Sequence, residues 1–461
     1  MNFINAFGKI PLLLFIMILG GSMTCGATYV DPKNYGSPKG EVCIKCHQET
    51  SPGIYNQWLE SAHGQAGVNC YDCHRAEKGD SDAFEHKELI SIVVTPKDCS
   101  KCHEKEFKEF SSSHHADAVA VLDSTDNFFG RSTWGIKNQR TACIPCHGST
   151  LEVQKKGKLA PATWPNTGIG RINPDGSKGS CTACHTRHLF SVAQARRPEA
   201  CGRCHSGQSQ PQIEVYTRSK HGVMFAAYDN RMNMDHQKWR AGKDYYQAPT
   251  CATCHMGSIP PQMEVKTADE RIRTALESVL SKDQQLLTAL LPPTPATKIN
   301  YGATHDVSSR LSWKLSPVIC KKRDNWQENR QQMESVCQQC HGEHFVKQHY
   351  EQFDALVGTY KKIFADPATR MRRALIKHGD ITKENFDDQL DLTYWKLWNN
   401  GGRGALNGAA MAGPVYLWNN GMQEVSQRYY MEFIPEVKKL YGRGADSFLR
   451  KNGYIRPTYK K

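Results

Sequence analysis

Eight short motifs in the 461-residue chain combine two thiols and an imidazole at one fixed spacing, Cys-x-x-Cys-His. Two thiols at this spacing can add to the two vinyl groups of one porphyrin, and the next histidine reaches the iron from one face. The motifs therefore predict eight covalently bound haem c groups. Their cysteines are Cys43, Cys46, Cys70, Cys73, Cys99, Cys102, Cys143, Cys146, Cys181, Cys184, Cys201, Cys204, Cys251, Cys254, Cys337 and Cys340. Their histidines are His47, His74, His103, His147, His185, His205, His255 and His341.

Other uses of paired cysteines fit this pattern less well. Disulfides, zinc sites and thioredoxin-type pairs do not require a histidine after every pair. Haems also explain the composition, because apolar residues make up only 39% of the chain and porphyrins would fill part of the interior. Their propionates would offset the net charge of +13, and the basic residues are scattered along the chain, so no nucleic-acid partner is predicted.

Each six-coordinate haem needs a second axial ligand, usually another imidazole. Eleven histidines remain outside the motifs, which is enough to fill eight positions, so counting leaves open whether one iron is accessible. These histidines are His63, His86, His114, His115, His188, His221, His236, His305, His344, His349 and His378.

The elements that hold the motifs are predicted to be mainly α-helical. Closely spaced motifs over residues 28–345 predict a cytochrome body of short helices and loops with little sheet. Within it, residues 268–298 have apolar positions at helical spacing followed by prolines, which predicts a helix and a proline-rich linker. This insertion either packs on the body or serves as a docking surface. Residues 346–461 predict long C-terminal helices for oligomerisation, although their aromatic residues would equally suit the core of one subunit.

Within this C-terminal region the sequence predicts three separate helices. The first is amphipathic over 353–364 and ends at the Ala-Asp-Pro of 365–367. The second covers 383–398 and ends at the "NNGGRG" that follows, and the third covers 422–441.

The N-terminus predicts export. Residues 1–27 have a lysine, a short apolar run and small residues, the outline of a signal peptide, with a lipoprotein through Cys25 as the weaker alternative. We expect a periplasmic or equivalent extracytoplasmic protein that does not span the membrane. Cys320 stands alone, as a small buried residue or, less favoured, an intersubunit thiol.

Several stretches between the motifs resemble the octahaem hydroxylamine oxidoreductase family, over roughly residues 43–430. They are "WLESAHG" before the second motif, "FEHK" before the third, "TRHLFS" at 186–191, "RRPEAC" at 196–201, "SKHG" at 219–222 and "THD" at 304–306. The resemblance implies distal ligands at His63, His86, His115, His188, His221 and His305. His114 is an alternative to its neighbour, and His344, His349 or His378 could supply a seventh ligand.

In this family the fourth motif, here closed by His147, holds the active haem, and the other haems conduct electrons. Members oxidise hydroxylamine or hydrazine, or reduce nitrite and hydroxylamine. The resemblance thus implies a small inorganic nitrogen substrate, a redox partner such as a cytochrome or a membrane quinol dehydrogenase, and a homotrimer.

The chain departs from the family at two places. An Asp-His pair usually follows the sixth motif, but here Ser209 and Gln210 occupy those positions and can only hydrogen-bond a nitrogen oxide. Asp235 and His236 are a weaker replacement. Oxidising members cross-link a tyrosine to the active haem, and Tyr416 is its nearest match here. We favour the interpretation of Tyr416 as an aromatic residue at a subunit interface.

These departures favour the reductive direction over hydroxylamine or hydrazine oxidation. The main rival hypothesis is a non-catalytic electron-transfer protein with every iron ligated on both faces.

Overall fold

The computed structural model describes residues 36–123, 142–208, 210–236, 239–256 and 326–455. The predicted signal peptide, the 268–298 insertion, Ser209, His305 and Cys320 therefore lie outside the described residues.

The motif-bearing part of the chain is built from short helices, as predicted. The chain length between motifs leaves room for only a few helical turns, which the loops join around the cysteines. The α-helices here are Gly40–Thr50, Pro52–Glu60, Ala62–Gln65, Cys70–His74, Pro96–Cys99, Glu104–Ser111, Ala118–Asp123, Ile144–His147, Val192–Arg196, Pro198–Gly202, Gln212–Arg218, Lys220–Tyr228, Cys251–His255 and Trp326–Cys337. Single 3₁₀ turns cover Lys155–Gly157, Cys181–Ala183 and Asp229–Arg231.

The described residues contain one small sheet, a hairpin of strands Ala83–His86 and Glu88–Ser91. His86 pairs with Glu88 across a turn at Lys87, whose φ is 64°. The prediction of a mainly α fold with little sheet is confirmed.

The C-terminal region is a bundle of long helices interrupted by π-helical turns. Its α-helices are Glu343–Tyr360, Asp366–His378, Gln389–Lys396, Arg403–Ala410, Pro414–Tyr416, Gln423–Arg428, Ile434–Tyr441 and Ala445–Lys451. Its π turns are Lys361–Ala365, Leu397–Gly402, Leu417–Met422 and Tyr429–Phe433. The bundle core includes Phe353, Tyr360, Met371, Tyr394 and Phe433, which are almost fully buried.

Two predicted helix ends in this region are wrong. The helix that contains Phe353 continues through Pro367 to His378, because a π turn over Lys361–Ala365 absorbs the missing proline N–H. The "NNGGRG" segment likewise continues the helix as the π turn Leu397–Gly402, and the preceding helix begins at Gln389, later than predicted.

Gly404, in the "NNGGRG" segment, and Gly421, in the π turn Leu417–Met422, allow close packing between helices. A Cβ on Gly404 would lie 2.4 Å from the carbonyl oxygen of Asn420, and one on Gly421 would lie 2.5 Å from the Ala405 main chain. The two crossing π turns have nearly the same sequence, "LWNNGG" at 397–402 and "LWNNGM" at 417–422. None of the described helices is long and apolar enough to cross a membrane.

Candidate functional site

Each Cys-x-x-Cys-His motif lies on a single helical turn, which explains the spacing. Residues i, i+3 and i+4 share one face of a helix, so both sulfurs and the imidazole point the same way. In the third to sixth motifs and the eighth, the histidine N–H donates to the carbonyl of the first cysteine at 2.8–3.1 Å. The motif can therefore hold a porphyrin edge and its iron from one side.

Polar residues directly before the motif fix where some of these turns begin. Asn69 accepts from the N–H of Tyr71 and Asp72 at 2.9 and 3.2 Å, while the Asp72 carboxylate accepts from the Asn69 N–H. Thr250 caps the turn of the seventh motif in the same reciprocal way with Thr253. Such capping boxes satisfy N–H groups that would otherwise lack partners.

Five motif histidines have a second imidazole ring facing them. Their ring centroids lie between 6.0 and 6.4 Å apart, although the motif and its partner are far apart in sequence in most cases. The pairs are His47 with His86, His103 with His63, His74 with His188, His205 with His115, and His341 with His221.

This spacing fits a haem iron between the two rings. Two iron–nitrogen bonds of about 2 Å and two ring radii of roughly 1.1 Å put the centroids about 6 Å apart across one metal. The rings are too far apart to stack on or hydrogen-bond each other. Burial lowers the pKa of His115 and of His188 to about 4, so both rings are neutral near pH 7, as a metal ligand must be.

Two of these second histidines share a local signature, and the structure explains its geometry. His63 and His221 lie in Ser-x-His-Gly segments, where the serine caps a helix by accepting from the glycine N–H at 3.0 and 3.1 Å. The glycine is required because a Cβ would lie 2.3 and 2.0 Å from the main-chain oxygens of Trp58 and Tyr216. His115 is followed by alanine instead of glycine, and it is identified by its ring, which faces the motif histidine His205.

Within the described ranges, no second imidazole is found at this spacing beside His147, His185 or His255. Instead, His147 Nδ1 lies 3.1 Å from the Ala118 carbonyl oxygen, and His185 hydrogen-bonds the main chain of Ser191. His255 is half-buried, and its buried Nδ1 has no hydrogen-bond partner. His305, expected as a sixth second ligand, lies outside the described residues.

The remaining histidines are placed elsewhere. His378 Nδ1 lies 2.8 Å from the Asp380 carboxylate, and the ring stacks on Tyr441 at the exposed surface of the C-terminal bundle. His349 hydrogen-bonds the Ala410 main chain and lies near the His341–His221 pair, whereas the His344 side chain is exposed.

The cysteines of different motifs lie side by side in a definite order. The thiol of Cys99 interacts with that of Cys181, Cys201 with Cys251, and Cys146 with Cys204. Burial followed by a neighbouring thiol raises the pKa of Cys70, Cys73, Cys184 and Cys254 to about 11 or 12. Those neighbours are Cys43, Cys99, Cys201 and Cys337 respectively.

When haem is attached, each of these sulfurs would be bonded to a vinyl carbon of its own porphyrin. Two motifs whose sulfurs are in contact would therefore hold neighbouring porphyrins. The motifs follow one another in the order first, second, third, fifth, sixth, seventh and eighth. Among the described residues, the fourth motif joins this row through the sixth, where Cys146 meets Cys204 and the Arg203 carbonyl at 3.7 Å.

The loop after the sixth motif brings together amides from two parts of the chain. Gln210 Oε1 accepts from Gln212 Nε2 at 3.1 Å, and Gln208 Oε1 accepts from Asn400 Nδ2 of the C-terminal bundle at 3.4 Å. Sequence analysis missed Asn400 and Gln212, because nothing local distinguishes an amide in a helix that reaches a distant loop.

Tyr416 lies on the same side of the molecule but packs inside its own chain. It is 8% exposed, and burial together with the nearby carboxylate of Glu214 raises its pKa. Glu214 accepts from the Gly207 N–H at 2.8 Å, so it closes the loop that contains Gln210. Asp235 lines a separate cavity of about 490 Å³ with Arg197 and Asp229.

Comparison with known proteins supports the haem interpretation. Residues 168–260 match the family described as "Seven times multi-haem cytochrome CxxCH", and residues 98–186 match "Cytochrome c554 and c-prime". A "Probable nitrite reductase-hydroxylamine oxidoreductase fusion protein" of Kuenenia stuttgartiensis is 29% identical over 263 residues. That match covers 48% of this chain and 28% of the relative, so the chain spans only a minor part of that protein.

Two solved structures share the fold. A "Hypothetical multiheme protein" superposes with a TM-score of 0.66 at 22% identity, covering 92% of this chain and 99% of the other. The "reducing HAO-like protein complex Kustc0457/Kustc0458" of Kuenenia stuttgartiensis gives 0.58 at 18% identity, covering 90% and 87%. Together with the motifs and the paired imidazoles, these matches confirm the resemblance of the chain to hydroxylamine oxidoreductase-like multihaem cytochromes c.

Proposed function

We propose that the chain carries eight haems c and reduces a small nitrogen oxide, nitrite or hydroxylamine, at the haem of the fourth motif. The observation that carries this proposal is the position of Cys146 beside Cys204, which attaches the fourth motif to the row of motifs as a side branch. An electron conduit needs only an unbranched row. A haem at the end of a branch receives electrons without passing them on, which suits a reaction centre.

The proposed ligation follows from the imidazole pairs. His47, His74, His103, His205 and His341 would each hold an iron opposite a second histidine, and these irons would only transfer electrons. His147 would hold the fourth iron, with its Nδ1–H donated to the Ala118 carbonyl so that Nε2 faces the metal.

The loop after the sixth motif would bind the substrate. When bound, the fourth haem supplies a site for the nitrogen oxide and the electrons for its reduction. Amides at Gln210 and Asn400 can donate hydrogen bonds to substrate oxygen, and Ser209 is expected to contribute a hydroxyl. Converting hydroxylamine to ammonium and water consumes two electrons and three protons, and Glu214 is the titratable group that closes this loop.

Export and oligomerisation are also proposed. Residues 1–27 would direct the chain to an extracytoplasmic compartment, where a cytochrome or a quinol dehydrogenase would deliver electrons. A homotrimer is supported by apolar surface on the C-terminal bundle, where Trp418 is 62% and Met431 71% exposed beside a groove of about 480 Å³.

The test is an EPR spectrum of the ferric protein, repeated after adding nitrite and then hydroxylamine. A high-spin haem signal that changes with either ligand is expected. In a C143A/C146A variant, the same signal should disappear and the intact mass should fall by one haem. An all-low-spin spectrum that neither ligand alters would favour the electron conduit instead, and reduction of the haems by hydroxylamine would favour oxidation.

A further inference from the structure

A glutamine lies beside the iron-binding ring of the sixth motif. Gln212 begins the helix Gln212–Arg218, seven positions after His205 and two after Gln210. The Ile213 N–H donates to the His205 carbonyl at 3.1 Å, which folds this helix back onto the motif. The His205 ring also lies near His115, with 6.1 Å between the ring centroids.

The orientation of the Gln212 amide is determined by its neighbour. A side-chain amide has one acceptor oxygen and one donor nitrogen. Because Gln212 Nε2 donates to Gln210 Oε1 at 3.1 Å, the Gln212 oxygen must face away from Gln210. That oxygen is buried and has no hydrogen-bond partner of ordinary geometry. Burial lowers the pKa of His205. The Gln212 side chain lies within hydrogen-bonding reach of the His205 ring and partly offsets that decrease in pKa.

A buried acceptor without a partner is rare and needs an explanation. A histidine that binds iron through Nε2 keeps a proton on Nδ1, which must then find an acceptor. The Gln212 oxygen and the His205 ring are therefore complementary once the haem is in place.

We propose that Gln212 is a positioning residue that accepts a hydrogen bond from His205 Nδ1 and so lowers the reduction potential of the sixth haem. A hydrogen bond at Nδ1 makes the imidazole a stronger electron donor, which stabilises the ferric iron relative to the ferrous iron. The inference rests on the proposed function in one respect, because the sixth haem is the one that delivers electrons to the fourth.

Other motif histidines use different acceptors. His74 Nδ1 lies 2.8 Å from the Ser91 carbonyl oxygen and His147 Nδ1 3.1 Å from that of Ala118, and main-chain carbonyls cannot be exchanged by substitution. At His205 the acceptor is a side chain held by Gln210, a residue of the proposed substrate loop. A ligand that draws Gln210 away from Gln212 would therefore change the potential of the sixth haem, and by linkage that potential would change ligand affinity.

The test compares two substitutions with opposite expected signs in the full haem-loaded protein. Gln212→Leu removes the acceptor, whereas Gln212→Glu replaces it with a stronger, charged one. A hydrogen bond worth about 1.4 kcal/mol changes the equilibrium constant for reduction about tenfold, or about 59 mV for one electron. Potentiometric titration followed by EPR of the low-spin haems should show one midpoint raised in Q212L and lowered in Q212E.

Two further variants complete the design. Gln210→Leu should raise the same midpoint by less than Q212L, because it only frees the Gln212 amide to rotate. Gln65→Leu is the matched control: this exposed glutamine lies two residues after His63, but its amide donates to the Glu60 carbonyl. No midpoint should move in Q65L.

The proposal is overturned if both Gln212 variants leave every midpoint unchanged or shift one in the same direction, as a merely structural effect would. Failure of the proposed function gives a different result. In that case the wild-type protein lacks a ligand-sensitive high-spin haem, while the low-spin midpoints still report on Gln212.

Discussion

Replacing Gly421 with alanine should force apart two helices of the C-terminal bundle. Gly421 is buried in the π turn Leu417–Met422, where it crosses the helix Arg403–Ala410. An added Cβ would lie 2.5 Å from both the main-chain nitrogen and the Cα of Ala405, whereas ordinary contact begins at 3.4 Å. Because these are main-chain atoms, no side chain can rotate to make room, and the helices must separate by roughly 1 Å.

The magnitude is the difference between two effects. Overpacking costs about 1–3 kcal/mol, and because the added Cβ would overlap main-chain atoms at 2.5 Å, we expect the upper part of that range, about 2–3 kcal/mol. Alanine is favoured over glycine within a helix by about 1 kcal/mol, which offsets part of that cost. We therefore expect G421A to lower the free energy of unfolding of the bundle by about 1–2 kcal/mol. The separation should also weaken the hydrogen bond from Asn400, which lies in the partner π turn, to Gln208.

Gly358→Ala is the matched control. Gly358 is exposed on the helix Glu343–Tyr360, and an added Cβ there meets no atom within 4 Å. This variant should gain about 1 kcal/mol from helix propensity alone.

The assay is calorimetry of the haem-loaded protein, supported by far-UV circular dichroism. The midpoint of the bundle transition should fall by roughly 2–8 °C in G421A and rise by a few degrees in G358A. If G421A proves at least as stable as the wild type, the close approach at Ala405 is not a feature of the folded protein and the reasoning fails.

Three further changes test other parts of the structure. Arg372→Met should destabilise the bundle by about 3–5 kcal/mol in the same assay, because Asp391, which is 0% exposed and paired at 2.6 Å, would lose its counter-charge. Arg428→Met, which removes partly exposed ion pairs, should cost less than about 1 kcal/mol. Equal losses in the two variants would contradict the difference between buried and exposed ion pairs. His86→Gly should add one high-spin haem to the ferric EPR spectrum, and an unchanged spectrum would show that this imidazole is not a ligand. Tyr416 is buried in its own chain, so the denatured protein should separate into single chains, whereas a covalent oligomer on a denaturing gel would show that this tyrosine is cross-linked.

The haem-binding motifs could be identified from the sequence because their chemistry is local. Cysteine, cysteine and histidine must share one helical turn to hold one porphyrin, so their spacing survives whatever fold surrounds them. The mainly helical body follows from the same constraint, since short intervals between motifs leave little room for sheets. The amphipathic repeat of Phe353, Val357, Tyr360 and Phe364 likewise predicted a helix that the structure contains.

Local rules failed where packing between distant segments overrode them. Pro367 and the glycines at 401 and 402 normally end a helix, but here they lie within continuous helices. The bundle compensates by π turns and by a close crossing that only glycine allows. A pattern read from neighbours in sequence contains no information about the partner helix.

The sequence by itself determined which residues can hold haem, because covalent attachment is a property of one turn of chain. Only the tertiary structure decided which imidazole faces which motif and which motifs lie side by side. His221 faces His341 across 120 positions of sequence, and Cys146 meets Cys204 rather than a cysteine of the third or fifth motif. These pairings depend on how loops and helices fold in space, and the spacing of residues along the chain does not specify them.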